Sequence, residues 1–269
     1  MTDSSDALLT ETSDSLLRLT INRPDVGNSL DEATIRDLID VLSGLAADPG
    51  EVRAVLLRSE GRHFCTGADI SGPAGGSAGR RPAVGHMVRS LGHGPHRLID
   101  VLWRCRLPVI AELTGRTSGL GLHVALCCDF TVAAQSATFA EPFAQRGFNV
   151  DSGGSWLLPR FVGLTRAKRL LYTGDSIDAT TALDWGLISE VVADADVATR
   201  AATLAAQMAQ GASFAIGTMK HLLHRNLTTE LDDAMAEEAN GIELSIRSAD
   251  FKEGMKAFIE KRPPDFRGR

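Results

Sequence analysis

The chain has 269 residues, 43% hydrophobic and 23% charged, which excludes disorder as a description of the whole and gives ample length for a core. Lys and Arg total 28 against 34 Asp and Glu, so the net charge is −6, and a chain built mainly to grip nucleic acid is disfavoured. Four cysteines without C-x-x-C spacing indicate neither a disulfide framework nor a zinc site, and point to buried thiols in a reducing cytoplasm.

Residues 1–14 are polar and acidic, without the basic and apolar regions of a signal peptide, and read as a disordered tail. Ser15–Ile21 reads as a strand that ends in the turn Asn22-Arg23-Pro24. Ser29-x-x-Glu32 has the form of a capping box. The helix behind it carries Ile35, Leu38, Ile39, Leu42 and Leu45 on one face and stops at Asp48-Pro49-Gly50. Val52–Arg58 is an apolar run suited to a sheet covered on both faces.

Residues 71–97 are rich in Gly and Pro and read as a long loop of the kind that covers a site. Between Arg80 and Arg106 lie six arginines and one acid, Asp100, with His86, His93 and His96 among them. That stretch is either a solvated basic surface or a patch for a small polyanion such as a nucleotide-containing ligand. Pro108–Leu113 reads as a strand, Leu122–Cys128 as a buried helix and Phe130–Ala134 as a strand, so the class is α/β with parallel crossovers. From Val162 onward the pattern is mostly helical, with Asp178 a candidate N-cap, Gly186 a candidate helix stop and Leu187–Val192 the one interruption. No apolar run is long enough to span a membrane.

Two glycine-rich turns could bring backbone N–H groups to a ligand: Arg62–Ile70 after one strand, and Thr114–Gly121 between a strand and a helix. Two such N–H groups from separate loops can form an oxyanion hole for an enolate or a tetrahedral adduct. Asp151 precedes Gly153-Gly154, where it is either a helix cap or a general acid/base.

The order Asn22-Arg23-Pro24, Asn28-Ser29-Leu30, Phe64-Cys65-Thr66-Gly67-Ala68-Asp69-Ile70, Cys128-Asp129, Gly153-Gly154, Leu158-Pro159-Arg160 and Tyr172-Thr173-Gly174 resembles the crotonase superfamily, the enoyl-CoA hydratase/isomerase family, over roughly residues 15–266. The resemblance implies a spiral core of repeated ββα units over 15–200 and a helical trimerisation region over 201–269. It further implies homotrimers or dimers of trimers and a coenzyme A thioester as ligand, with no permanently bound cofactor or metal; the acidic charge and the lack of a long apolar run speak against nucleic acid and membrane as partners. The implied oxyanion amides fall on Ala68 and Leu120. Leu120 stands where the family usually has glycine, and its side chain narrows the pocket. Ala68, Asp69, Ile70 and Ser71 are implied to line the coenzyme A site, Phe258 and Lys261 on the last helix, of the same or a neighbouring subunit, to close over it, and Arg80 and Arg81 to lie within reach of its phosphates.

The departures matter most. The two glutamates with which hydratases of the family manage water fall on His123 and Phe143. Phenylalanine moves no proton, and Glu141 is the nearest carboxylate in sequence. His123 is either a packed core residue or a substitute base. The run Asp151-Ser152-Gly153-Gly154-Ser155-Trp156-Leu157-Leu158-Pro159-Arg160 most resembles the isomerase branch that includes the phenylacetyl-CoA ring-epoxide isomerase. An enoyl-CoA isomerase with Asp151 as acid/base is therefore the favoured reading. A hydratase or other CoA-thioester lyase using His123, and a non-catalytic acyl-CoA binding protein, are the alternatives.

Overall fold

A computed structural model describes residues 6–70 and 83–268. The chain opens with β1 (Leu8–Ser13), β2 (Leu16–Ile21), α1 (Glu32–Ala47) and β3 (Ala54–Ser59). Next come α2 (His86–His93), α3 (Pro95–Trp103), β4 (Val109–Leu113), β5 (Arg116–Ser118) and α4 (Leu120–Leu126). They are followed by β6 (Phe130–Ala134), β7 (Thr138–Ala140), α5 (Gly154–Thr173), β8 (Ile177–Asp178), α6 (Ala179–Asp184) and β9 (Glu190–Val192). The chain closes with α7 (Val197–Ala209), α8 (Ser213–Arg225), α9 (Leu231–Ser245) and α10 (Ala249–Glu260).

The strands form a six-stranded sheet, β1-β2-β3-β4-β6-β9, and a three-stranded sheet, β5-β7-β8. Only β1 runs antiparallel in the large sheet. β4 and β5, then β6 and β7, each contribute one strand to each sheet before a helix follows, which is the ββα repeat of a spiral. The alternation of β3 serves two helical layers. Val55 and Leu57 meet Leu38 and Leu42 of α1, Leu98 and Leu102 of α3 and Val124 of α4. The other side of β3, β4 and β6 is covered by α7. Its buried residues Val197, Ala201, Ala205 and Ala209 recur every fourth position, and these small side chains let the helix lie close to the sheet. No described helix is long and apolar enough to cross a membrane.

Several expectations need correction. The tail is ordered over Leu8–Ser13, where β1 pairs with β2, although only Leu8 turns a side chain fully inward. Asp31, not Ser29, caps α1, its carboxylate accepting from the Thr34 amide at 2.8 Å. The long loop expected over 71–97 gives way to α2 and α3 from His86 onward. α2 buries none of its residues, and its Met87 and Val88 are exposed, while α3 buries Leu98, Val101 and Leu102. Ser71, Arg80 and Arg81 lie outside the described residues. The helix expected from Val162 starts at Gly154, with a break at Gly163. Asp178 does cap α6, through a 2.7 Å bond from the Thr181 amide, and Gly186 follows the helix in a left-handed conformation.

Candidate functional site

Both glycine-rich turns leave the C-terminal ends of parallel strands, where ligand sites of such sheets gather. The turn after β3 is stitched on two sides. On one side, Thr66 donates to the Gly27 carbonyl (3.1 Å), and Leu30 donates to that of Gly67 (2.9 Å). On the other side, Cys65 and Thr117 form a parallel bridge, and the Ser118 hydroxyl donates to the Thr66 carbonyl at 3.2 Å. Asn28 is fully buried and donates to the carbonyls of Glu60 and His63, while its own side-chain oxygen accepts from the Arg23 amide. The Asn22-Arg23-Pro24 motif is thus a latch under this turn.

The stitching brings Ala68 and Leu120, the two residues expected to offer amides, to the wall of one cleft. Among the described residues neither donates to a protein acceptor. Gly121 must be glycine, because a side chain there would collide with the carbonyl and thiol of Cys65. Gly67 has φ of 114°, and a Cβ on it would stand 3.2 Å from the Ser118 carbonyl oxygen and 4.0 Å from the Leu120 nitrogen. The two turns therefore meet almost in contact.

Both turns line one narrow cleft of about 70 Å³. Ala68, Ile70 and Leu120 form part of its wall, together with Pro142, Phe143 and Phe148. The rings of Phe143 and Phe148 meet edge to face, centroids 5.5 Å apart. The charged residues on the wall are Asp151 and Arg146. Asp151 does not cap α5: the N-cap is Gly153, in a left-handed turn, and no side chain caps that end. Instead the Asp151 carboxylate accepts from the Ser152 hydroxyl at 2.8 Å and faces the cleft. Ser152 itself holds φ of 47°, so the chain turns sharply just behind the carboxylate.

His123 and Glu141 lie behind this wall. Both are fully buried, and His123 Nε2 stands 3.1 Å from Glu141 Oε1. Burial pushes the Glu141 carboxyl above its ordinary range, the His123 partner pulls it back down, and the nearby Asp151 charge adds to the rise. The His123 ring lies parallel to Phe143, centroids 5.9 Å apart, so the two hydratase positions are packed against each other. Neither His123 nor Glu141 contributes to the cleft wall.

The remaining expected site residues fall elsewhere. The Asp69 carboxylate is 3.1 Å from Arg23, which also holds Asp31 at 3.0 Å, so it braces the latch. Phe258 is 80% exposed at the end of α10, and Lys261 caps that helix in a left-handed conformation; neither lines the cleft. Arg146 and Phe148 are the wall residues that sequence reasoning missed. They sit on the turn Ala144–Arg146 and just beyond it, with no periodicity to mark them.

The enoyl-CoA hydratase/isomerase family model matches residues 11–269. The chain belongs to the enoyl-CoA hydratase/isomerase family. The "Probable enoyl-CoA hydratase" of Rhodobacter capsulatus is 37% identical, over 96% of this chain and 97% of that one. The 1,2-epoxyphenylacetyl-CoA isomerase of Escherichia coli is 34% identical, over 97% and 98%. The solved enoyl-CoA hydratase of Bacillus anthracis superposes with a TM-score of 0.89 at 28% identity, covering 98% of this chain and all of that one. The fold is the crotonase fold, and the protein is an acyl-CoA enzyme of that family.

Proposed function

We propose that the protein is an enoyl-CoA isomerase that moves a double bond through a thioester dienolate, with Asp151 as the acid/base. One observation carries this reading: among the described residues, Asp151 is the one carboxylate on the wall of the cleft that Ala68 and Leu120 also line. The thioester carbonyl makes the α-hydrogen acidic, and conjugation extends that acidity to the γ-carbon. Asp151 takes a proton from one allylic carbon, and the electron pair of that C–H bond passes into the conjugated system and onto the thioester oxygen. The two amides hold the resulting oxyanion, a kind of contact worth about 3–4 kcal/mol per donor in a transition state. The protonated Asp151 returns the proton to the other end of the system, so no second acid/base is needed. The aromatic wall of Phe143 and Phe148 suits an unsaturated or cyclic acyl group.

Water addition is the competing chemistry, favoured by the name of the R. capsulatus relative. In this fold it lacks its two carboxylates: Phe143 fills one position and the sealed His123 the other. The ligand under this reading is a coenzyme A thioester that serves as substrate, with no resident cofactor. Four buried free thiols fit a reducing cytoplasm, and we further propose a homotrimer or a dimer of trimers.

The test uses 2-enoyl-, 3-enoyl- and phenylacetyl-type CoA thioesters in deuterated water, followed by mass spectrometry for wild type and Asp151→Asn. The expected result is solvent deuterium in the acyl group and a migrated double bond, with turnover falling about 10²–10⁴-fold in the variant. Added water that persists in Asp151→Asn would replace this reading with a hydratase. Tight binding with no exchange in any thioester would replace it with a binding protein.

A further inference from the structure

The C-terminal end of the basic stretch that runs from Arg80 to Arg106 has no part in the cleft. Arg104 and Arg106 lie on the turn between α3 and β4, at the N-terminal end of β4, whereas the catalytic cleft collects turns leaving the C-terminal ends of the strands. There they meet a second basic run on α8, Lys220-His221 and His224-Arg225. Together with Trp103 these residues surround a cavity of about 490 Å³ that shares no residue with the cleft.

The charges of this cavity are only partly answered. Arg104 pairs with Asp100, Lys220 with Asp129 (2.7 Å) and Arg225 with Glu237 (3.2 Å). All three acids lie outside the cavity, and among the described residues no carboxylate lines it. Arg106 makes no ion pair among the described residues. The two imidazoles register the excess. Burial holds His221 below its ordinary range, and the Arg106, Arg225 and Arg104 charges lower it further against Glu237 alone. His224 is lowered first by burial and then by Lys220, with Asp129 and the Trp103 carbonyl opposing. His224 is also fixed in place. Its ring stacks on Trp103 at 3.8 Å, and its Nδ1 donates to the Trp103 carbonyl at 3.2 Å, which leaves Nε2 as its remaining polar atom.

We infer that this cavity is a second, non-catalytic site for a phosphate-bearing anion, recognised by Arg106, His221 and His224 over the Trp103 floor. The Arg106 guanidinium supplies N–H donors of the kind that grip phosphate oxygens, and the imidazoles add theirs on taking up a proton as the anion binds, His224 through Nε2. An anion in the cavity also supplies the negative charge that its lining lacks. The phosphate has two sources, a free phosphate or the 3′-phospho-ADP part of a second coenzyme A molecule. The site does not depend on the isomerase reading, because neither Asp151 nor the oxyanion amides touch it.

The test is a titration of the full-length protein with inorganic phosphate, and separately with adenosine 3′,5′-bisphosphate, followed by the imidazole NMR signals of His221 and His224. Chloride at matched ionic strength is the control, and His221→Gln and His224→Gln assign the signals. The expected result is a saturable shift of both signals, with each imidazole titrating at higher pH when the ligand is bound. Arg106→Gln should weaken that binding about tenfold while thioester turnover in the cleft stays unchanged. Saturation by phosphate assigns the free ion, and saturation by the bisphosphate alone assigns the coenzyme A moiety. A shift that grows linearly and is matched by chloride, or no shift at all, overturns the site. So does binding that survives both Arg106→Gln and His221→Gln.

Discussion

Behind the Phe143 wall, Glu141 is a carboxylate held where carboxylates are costly. Its folded pKa lies above the ordinary value of 4.5, with burial the largest cause. A raised acid pKa means that the folded chain binds more protons than the unfolded one in the window between the two values. Stability from this group is therefore greatest below about pH 4.5 and falls as pH rises through the folded value. Glu141→Gln keeps the volume and removes the ionisation. Urea unfolding of wild type and variant at several pH values should show the variant gaining on wild type as pH rises. Parallel stability curves would remove the carboxylate from this account. The same residues show what sequence reading could reach. That the two glycine-rich turns and the segment before the glycine pair border one ligand cleft was legible in the sequence, and the family resemblance pointed within them to Ala68, Leu120 and Asp151, all three of which line it. The partnership of His123 with Glu141 was not, because a turn, two strands and a helix end separate the two along the chain.

Elements were legible where a strand is covered on both faces or a helix packs one stripe on the sheet. β2, β3, β4 and β6 are apolar runs, and α7 carries its small residues at helical spacing. β1 escaped notice because five of its six residues are not fully buried and its order comes from pairing with β2. The end of the chain makes a related point, since residues 262–268 have no regular structure yet are held to α10. Arg262 meets both oxygens of Glu253, and the Asp265 amide donates to the same carboxylate at 2.9 Å. The amides of Arg267 and Gly268 donate to Asp250 at 2.7 and 2.8 Å. The Arg262 hydrogen bonds draw the Glu253 carboxyl down to about 2. A depressed acid pKa stabilises the folded form fully above the ordinary value of 4.5 and loses that effect as pH falls through about 2. Hydrogen exchange should therefore find this segment protected at about pH 4 in wild type. In Glu253→Gln the same amides should exchange faster, while those of β3 and β4 are unchanged. Equal protection in the two proteins would show that Asp250 alone holds the segment.

At the scale of the whole molecule, the C-terminal helices are long but poorly buried by their own chain. α9 buries only Gly241, and α10 only Asp250 and Ala257. Leu231, Met235 and Ile242 fall on one face of α9, and all three are exposed. Helices of 15 and 12 residues are marginal in water without an apolar face packed on something. An apolar cavity between α8, α9 and α10 adds to the surface left open, and a monomer seldom shows so much. The proposed trimer supplies what these helices lack: another copy of the same surface. Sedimentation velocity of the wild type should then give about three or six times the 28.7 kDa chain mass. Because assembly stabilises only the folded form, its unfolding temperature should rise with protein concentration. Leu231→Asp with Ile242→Asp places two charges on the α9 face, where like charges from symmetric copies would meet. That variant should sediment as the 28.7 kDa chain, and its unfolding temperature should stop depending on concentration. A wild type that already sediments at the single-chain mass would mean that α9 and α10 are ordered by the fold alone, and the trimer would be dropped.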